Sequence, residues 1–364
     1  MRRIVLVSLL AALWPAGARA QDFWRPEVGL RAAYIRFDDP NSSAYVDVFD
    51  LPLSNGEVVA PPPASLYGVV PIGGRFAFEP SFGLGSTAAF GDVFTTATVG
   101  LRFDVALTEQ FYVGVGPTAY VVKFSGEEDT QGALEGALGY RRVFGPRMQG
   151  HAEVFYEKRE KSEQLPELDV MGIRLGAGYL LRGSTPSPVE GTDRGDLWTP
   201  ALVVQGGWTL ASFPGQGDIT SFTLPLRGQN LVGATGVLPG PSALAALFPV
   251  TERLAVEPSF DYHRAKPKDS EAVTSFQVGA RLDYAFDRVF YAGAGAEGTR
   301  IKADGADTEL RLIGVAAIGA RFPMLGGLRG RTEVNYRVWG AGGLDDLPAG
   351  QATSFVFGAL LPFN

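Results

Sequence analysis

The feature that most constrains this chain is a stretch that occurs twice. Pro71-Ile72-Gly73-Gly74-Arg75-Phe76-Ala77-Phe78-Glu79-Pro80-Ser81-Phe82 returns as Pro249-Val250-Thr251-Glu252-Arg253-Leu254-Ala255-Val256-Glu257-Pro258-Ser259-Phe260. Each copy reads as a tight turn followed by a strand. Phe76, Phe78, Pro80 and Phe82 fall on one face, and Arg75, Ala77, Glu79 and Ser81 on the other. That period of two belongs to a strand lying between two unlike environments.

The repetition extends over the chain. Phe49-x-Leu51-Pro52-Leu53 returns as Phe222-x-Leu224-Pro225-Leu226, and Val99-Gly100-x-Arg102-x-Asp104 as Val278-Gly279-x-Arg281-x-Asp283. Phe111-Tyr112-x-Gly114-x-Gly116 returns as Phe290-Tyr291-x-Gly293-x-Gly295, and Glu153-Val154-x-Tyr156 as Glu333-Val334-x-Tyr336. Matches in one order, at offsets of 173 to 180 residues, are those of an internal duplication. The join is residues 183–197, a polar stretch rich in Pro, Gly and Ser. The expected division is a targeting segment at 1–20, a first repeat at 21–182, a periplasmic linker at 183–197 and a second repeat at 198–364.

The patterning predicts eight strands in each half. In the first they lie near 25–37, 64–72, 75–85, 93–106, 110–124, 132–144, 147–158 and 168–182. In the second they lie near 198–212, 241–249, 253–264, 273–286, 289–301, 309–322, 328–339 and 352–363. Tight turns such as Gly73-Gly74, Thr108-Glu109 and Gly145-Pro146 alternate with longer polar connections. Tight turns at one end and longer loops at the other are the plan of an outer-membrane barrel with both termini in the periplasm.

The faces agree with that plan. Ala97, Val99, Leu101, Phe103 and Val105 alternate with Thr98, Gly100, Arg102 and Asp104. A charge on the lipid face costs roughly 2–4 kcal/mol at the bilayer midplane, so Arg102 and its neighbours belong inside. The inward positions are Arg31, Glu79, Arg102, Asp104, Arg141, His151, Glu153 and Arg174 in the first half. Those in the second are Glu257, Arg281, Asp283, Glu297, Arg321, Arg331 and Glu333. Arg2 and Arg3, the apolar run Ile4 to Trp14, and Ala18-Arg19-Ala20 fit a cleaved signal peptide. Its removal takes the net charge from −7 to −10, because three arginines leave. No later run reaches the ~18 apolar residues of a spanning helix. An acidic balance argues against nucleic acid, and a chain without cysteine has neither disulfides nor thiolate metal sites.

The strand plan, the tight turns and the Arg-x-x-x-Glu-Pro-Ser-Phe strand resemble the OmpA/OmpX-like outer-membrane barrels, the outer membrane protein β-barrel or porin-like family. The resemblance implies an all-β fold of antiparallel up-and-down transmembrane barrels in the bacterial outer membrane. It implies outer-membrane lipids and the barrel-insertion machinery as partners, with an extracellular ligand possible through the long loops. Phe363 followed by Asn364 departs from the terminal aromatic that this machinery reads. The halves either close separately, as two tandem eight-stranded barrels, or together, as one of sixteen strands. Paired opposite charges with Gly and Ala between them suit compact interiors, and the 15-residue linker suits two closed units. A porin lumen is charged too, which keeps sixteen strands open.

No residue pattern demands catalysis or a cofactor. Gly293-Ala-Gly295-Ala-Glu-Gly298 matches a dinucleotide fingerprint, but it lies inside a strand rather than between strand and helix. His151 reads as an interior histidine, and His263, near Asp261 and Ser270, as a surface one. Arg194-Gly195-Asp196 reads as linker, and Asp304, Asp307 and Glu309 as a solvated loop. Trp24 and Trp198 are expected in an interfacial aromatic girdle. Loops 38–63 and 213–240 are expected to form the exposed surface. The function expected is structural or surface-interaction work. A porin is the alternative, and a lipid-modifying enzyme the remote one.

Overall fold

The computed structural model describes residues 23–41, 44–51, 63–64, 66–89, 92–124, 126–143, 147–181, 198–213, 217–224, 229–232, 236–239, 241–242, 244–268, 273–302, 311–323, 328–340 and 349–362. Residues 1–20, the whole linker 183–197 with Arg194-Gly195-Asp196, Ser270 and the acids Asp304, Asp307 and Glu309 lie outside them. The described residues are all-β. The first half holds β1 (Glu27–Asp38), β2 (Tyr45–Leu51), β3 (Leu66–Pro71), β4 (Phe76–Ala89), β5 (Asp92–Ala106), β6 (Phe111–Phe124), β7 (Glu127–Val143), β8 (Met148–Arg159) and β9 (Leu168–Leu180). The second holds β10 (Ala201–Phe213), β11 (Gly217–Leu224), β12 (Gln229–Val232), β13 (Gly236–Pro239), β14 (Leu244–Pro249), β15 (Leu254–Pro267), β16 (Val273–Ala285), β17 (Phe290–Lys302), β18 (Arg311–Pro323), β19 (Arg329–Trp339) and β20 (Gly350–Pro362).

Each half closes into an eight-stranded antiparallel barrel. In the first, β3 to β9 pair in sequence and β1 closes the ring by pairing with both β9 and β3. In the second, β14 to β20 do the same, and β10 closes the ring between β20 and β14. Closure leaves no open edge, which a membrane requires because lipid offers backbone groups no partner.

The short strands β3 and β14 reach only part of the way up. β3 covers β1 at Glu27–Leu30 and β4 at Ala77–Phe82. Above it, β2 takes over beside β1, from Ala33 to Asp38, and then pairs with β15 of the other half, from Tyr262 to Pro267. Its duplicate β11 pairs with β10 from Gly207 to Phe213 and with β4 from Leu84 to Ala89. At the loop end the sheet is therefore continuous. Seven strands of each half and the two bridging strands form a ring of sixteen. At the turn end there are two rings of eight. The two closures weighed from the sequence coexist, one at each end.

The bridging strands lie in the segments expected to be exposed loops. They are the recurrent Phe-x-Leu motif put to structural use, so those loops are partly barrel wall. Val46 and Val48 of β2 point inward, onto Ala33, Ile35, Phe37, Phe155 and Val170. The bridge predicts a cross-link. The chain has no cysteine of its own, and Leu51↔Tyr262 and Ser86↔Phe222 are directly opposed partners. Opposed antiparallel residues lie within disulfide reach. Leu51→Cys with Tyr262→Cys, and Ser86→Cys with Phe222→Cys, are each expected to oxidise to a gel-shifted species. Two barrels that stand apart give neither.

Candidate functional site: the two barrel interiors

The outer and inner faces are inverted relative to a water-soluble protein. Val99, Leu101, Leu134, Val154, Leu175, Leu282, Ile318 and Val334 are exposed, whereas Arg102, Arg174, Arg321 and Arg331 are buried. Phe111, Phe286 and Phe290 are exposed at the turn end, and Tyr156, Trp208 and Tyr336 toward the loops. A closed sheet with an apolar outer band and flanking aromatics is that of an outer-membrane barrel.

The first interior centres on Arg102, which β5 places opposite Glu79 in register. Its Nε donates to Asp104 Oδ1 at 2.7 Å and its Nη1 to Glu135 Oε1 at 3.0 Å. Its Nη2 lies 3.0 Å from Glu79 Oε1 and also reaches Glu153. Arg174 grips Glu135 from the other side, at 2.5 and 2.8 Å. Arg31 pairs with Glu79 and Arg141 with Glu27. The Tyr112 hydroxyl donates to Glu153 at 2.5 Å. Nearer the turns, Tyr67 donates to Glu27 and contacts His151 Nε2, each at 2.5 Å. His151 is therefore held within the barrel by a tyrosine.

The second interior repeats the centre. Arg281 lies opposite Glu257 in register and donates to Asp283 at 2.6 Å and to Glu333 at 2.8 and 2.7 Å. Arg331 joins Glu257 and Glu333 at 2.6 and 2.7 Å, and Arg321 reaches Asp283 at 3.0 Å. Tyr291, the duplicate of Tyr112, donates to Glu333 at 2.6 Å. Farther out, Arg337 pairs with Glu297 at 2.9 Å. The structure thus gathers Glu79, Arg102, Asp104, Glu153 and Arg174 into one network. Arg141 sits below it with Glu27. Glu257, Arg281, Asp283, Arg321 and Glu333 form the other network.

Gly114 and Gly293 explain the glycine motifs. A Cβ on Gly114 would stand 2.7 Å from Arg102 Nε and 2.8 Å from its Cδ, and one on Gly293 2.9 and 3.0 Å from the same atoms of Arg281. The atom such a Cβ would meet first is Oδ1 of Asp104 or Asp283, so each glycine makes room for the central arginine together with its aspartate. The dinucleotide-like Gly293-x-Gly295 serves this packing within β17.

Each ionic belt lies between two apolar layers. At the loop end are Ile35, Phe37, Val48, Phe155 and Val170 in the first barrel, packed around the buried Arg159–Glu157 pair, and Ile313, Val315 and Trp339 in the second. At the turn end are Phe23, Trp24, Tyr67 and Tyr112 in the first and Trp198, Leu247, Tyr291 and Leu360 in the second. Trp24 and Trp198 are thus inside, not in an outer girdle. Arg141 lies 4.7 Å from the Trp24 ring and Arg321 4.1 Å from the Trp198 ring. A cation aimed at an aromatic face draws the indole inward. Beside Arg281, Glu297 and Arg337, the second interior keeps a cavity of about 20 Å³, room for about one water.

No protein-family model matches the chain, and no curated protein matches it. Among solved structures it is similar to CdiB from Acinetobacter baumannii, at 7% identity over 92% of this chain, with a TM-score of 0.40. The chain spans 60% of that protein's length. It is similar to a Pseudomonas aeruginosa FadL homologue at 12% identity, covering 93% of this chain and 90% of that one, with a TM-score of 0.28. The translocator domain of the autotransporter NalP from Neisseria meningitidis gives 12% identity, 100% and 95% coverage and a TM-score of 0.26. By the faces and closure of its own sheet, the chain is an outer-membrane β-barrel protein with two charge-filled interiors.

Proposed function

We propose that the protein is a sealed, non-enzymatic outer-membrane scaffold that acts through its surface at the loop end rather than by passing solutes. The observation that carries this reading is the layering of both interiors. A belt of paired charges lies between two apolar layers in each eight-stranded barrel, the strand number whose interior side chains can fill. The ring of sixteen strands at the loop end has the circumference of a porin, but it opens onto two filled barrels.

The refolded mature protein in a planar bilayer is expected to stay silent while shown to be folded and inserted. Large, stable conductance steps would overturn the reading and return the porin alternative, with Arg102 and Arg281 as the first residues to test for ion selectivity.

A further inference from the structure

Below the bridging strands the two barrels part and leave a valley on the outer surface. Its lower section is an apolar cleft of about 480 Å³, lined among others by Leu30 and Tyr34 of β1, Ile173 and Leu175 of β9, Leu202 of β10 and Leu244 of β14. Both barrels contribute walls. The cleft lies on the lipid-facing side of the sheet, where the surrounding medium is hydrocarbon.

Tyr34 also borders a second recess, toward the loops. This one, of about 420 Å³, is lined by Tyr34, Asp47, Tyr262, Arg264 and Lys266, three of them charged. Asp47 is held by the neighbouring Arg36, through bonds of 2.7 and 2.9 Å. Arg264 and Lys266 are exposed. Of the lining residues Asp47 is acidic while Arg264 and Lys266 are basic, and Arg36, set between Asp47 and Asp38, offsets part of the acidic charge. A hydrocarbon-lined cleft running into a cationic recess matches an amphiphile with an anionic head. The long stems of Arg264 and Lys266 suit the membrane boundary, where such side chains hold their charge at headgroup level.

The duplication supplies a control within the molecule. The opposite valley, along β10, β11 and β4, has Trp208 for Tyr34, Leu210 for Arg36 and Thr220 for Asp47. It has Leu84, Ser86 and Ala88 where the first has Tyr262, Arg264 and Lys266. One valley is cationic and its duplicate is not, so the charge does not follow from the fold. We infer that the first valley binds one lipid of the loop-side leaflet whose phosphate head carries net negative charge, with acyl chain in the cleft and phosphate against Arg264 and Lys266.

The inference rests on the proposed outer-membrane orientation but not on a sealed interior. A conducting protein would leave it standing, so the two readings fail separately. The test is native mass spectrometry of the mature protein in neutral detergent, titrated with diphosphorylated lipid A, phosphatidylcholine or inorganic phosphate. One lipid A is expected to be retained in preference to the other two. Arg264→Ser with Lys266→Ala copies the opposite valley at exposed positions and leaves folding intact. It is expected to weaken retention roughly ten- to thirty-fold, the effect of two cations beside a membrane surface. Ser86→Arg with Ala88→Lys is expected to add a second bound lipid. Unchanged retention by the double variant, or equal retention of phosphatidylcholine, would overturn the site. Binding of inorganic phosphate as tight as that of lipid A would reduce it to a phosphate site without a lipid.

Discussion

Arg102→Ala is expected to destabilise the protein by about 3–5 kcal/mol, the effect of removing one partner from a buried charge network. The loss comes from the charges left behind more than from the pairs broken. Among the described ion pairs Asp104 has only Arg102, so it becomes an uncompensated buried carboxylate. Glu79 keeps Arg31 and Glu135 keeps Arg174. The duplicate barrel makes the comparison sharp. Arg281→Ala leaves Asp283 with Arg321, and Glu257 and Glu333 with Arg331. Its expected loss is smaller, because every acid it abandons retains a guanidinium. Urea unfolding in detergent measures both, in variants that replace Trp208 and Trp339 by Phe and keep either Trp24 or Trp198 as the reporter of its interior. Adding Asp104→Asn to Arg102→Ala should recover part of the loss by removing the stranded charge. Equal losses in the two barrels, or no recovery, would contradict this account.

The charge network was legible from the sequence because strand parity is strict. A charge cannot face lipid cheaply, so one arginine fixes the facing of its strand. The same parity reaches residues not singled out from the sequence. Glu135 is in phase with Arg141, Glu157 and Arg159 with Glu153, Glu27 with Arg31, and Arg337 with Arg331. All five are buried. Trp24 and Trp198 were not legible. They precede the first strand of their halves, where no period applies, and only the nearby arginine shows that they turn inward.

The bridging strands stood between these cases. Their Phe-x-Leu repeat was visible, but pairing between halves leaves no mark on local pattern. A seven-residue strand inside a long polar connection looks the same whichever neighbour it joins. The choice between eight and sixteen strands could not be read for the same reason. It depends on which strand stands beside the upper parts of β1 and β4, and the sequence of β1 suits either neighbour.

Val48→Pro is expected to test that junction with the second large effect. β2 has a paired neighbour on each side, with Val48 opposite Ile35 of β1 and Ala265 of β15. Proline removes a ladder donor and is tolerated in sheets essentially at edges and bulges. Within a bilayer each backbone group left unpaired costs several kcal/mol. Val48 is also buried against Ile35, Phe37 and Phe155, so the apolar layer above the first ionic belt loosens with it. The expected outcome is a loss of several kcal/mol shared by both barrels, with the Trp24 and Trp198 signals falling together. The Leu51–Tyr262 cross-link should disappear while the one between Ser86 and Phe222 remains. Asp47→Ala, one residue away, removes the partly exposed pair with Arg36 and the Tyr34 hydrogen bond, and should change stability by about 1 kcal/mol. If Val48→Pro disturbed the first barrel alone, the two halves would be joined by covalent connection rather than by a shared wall.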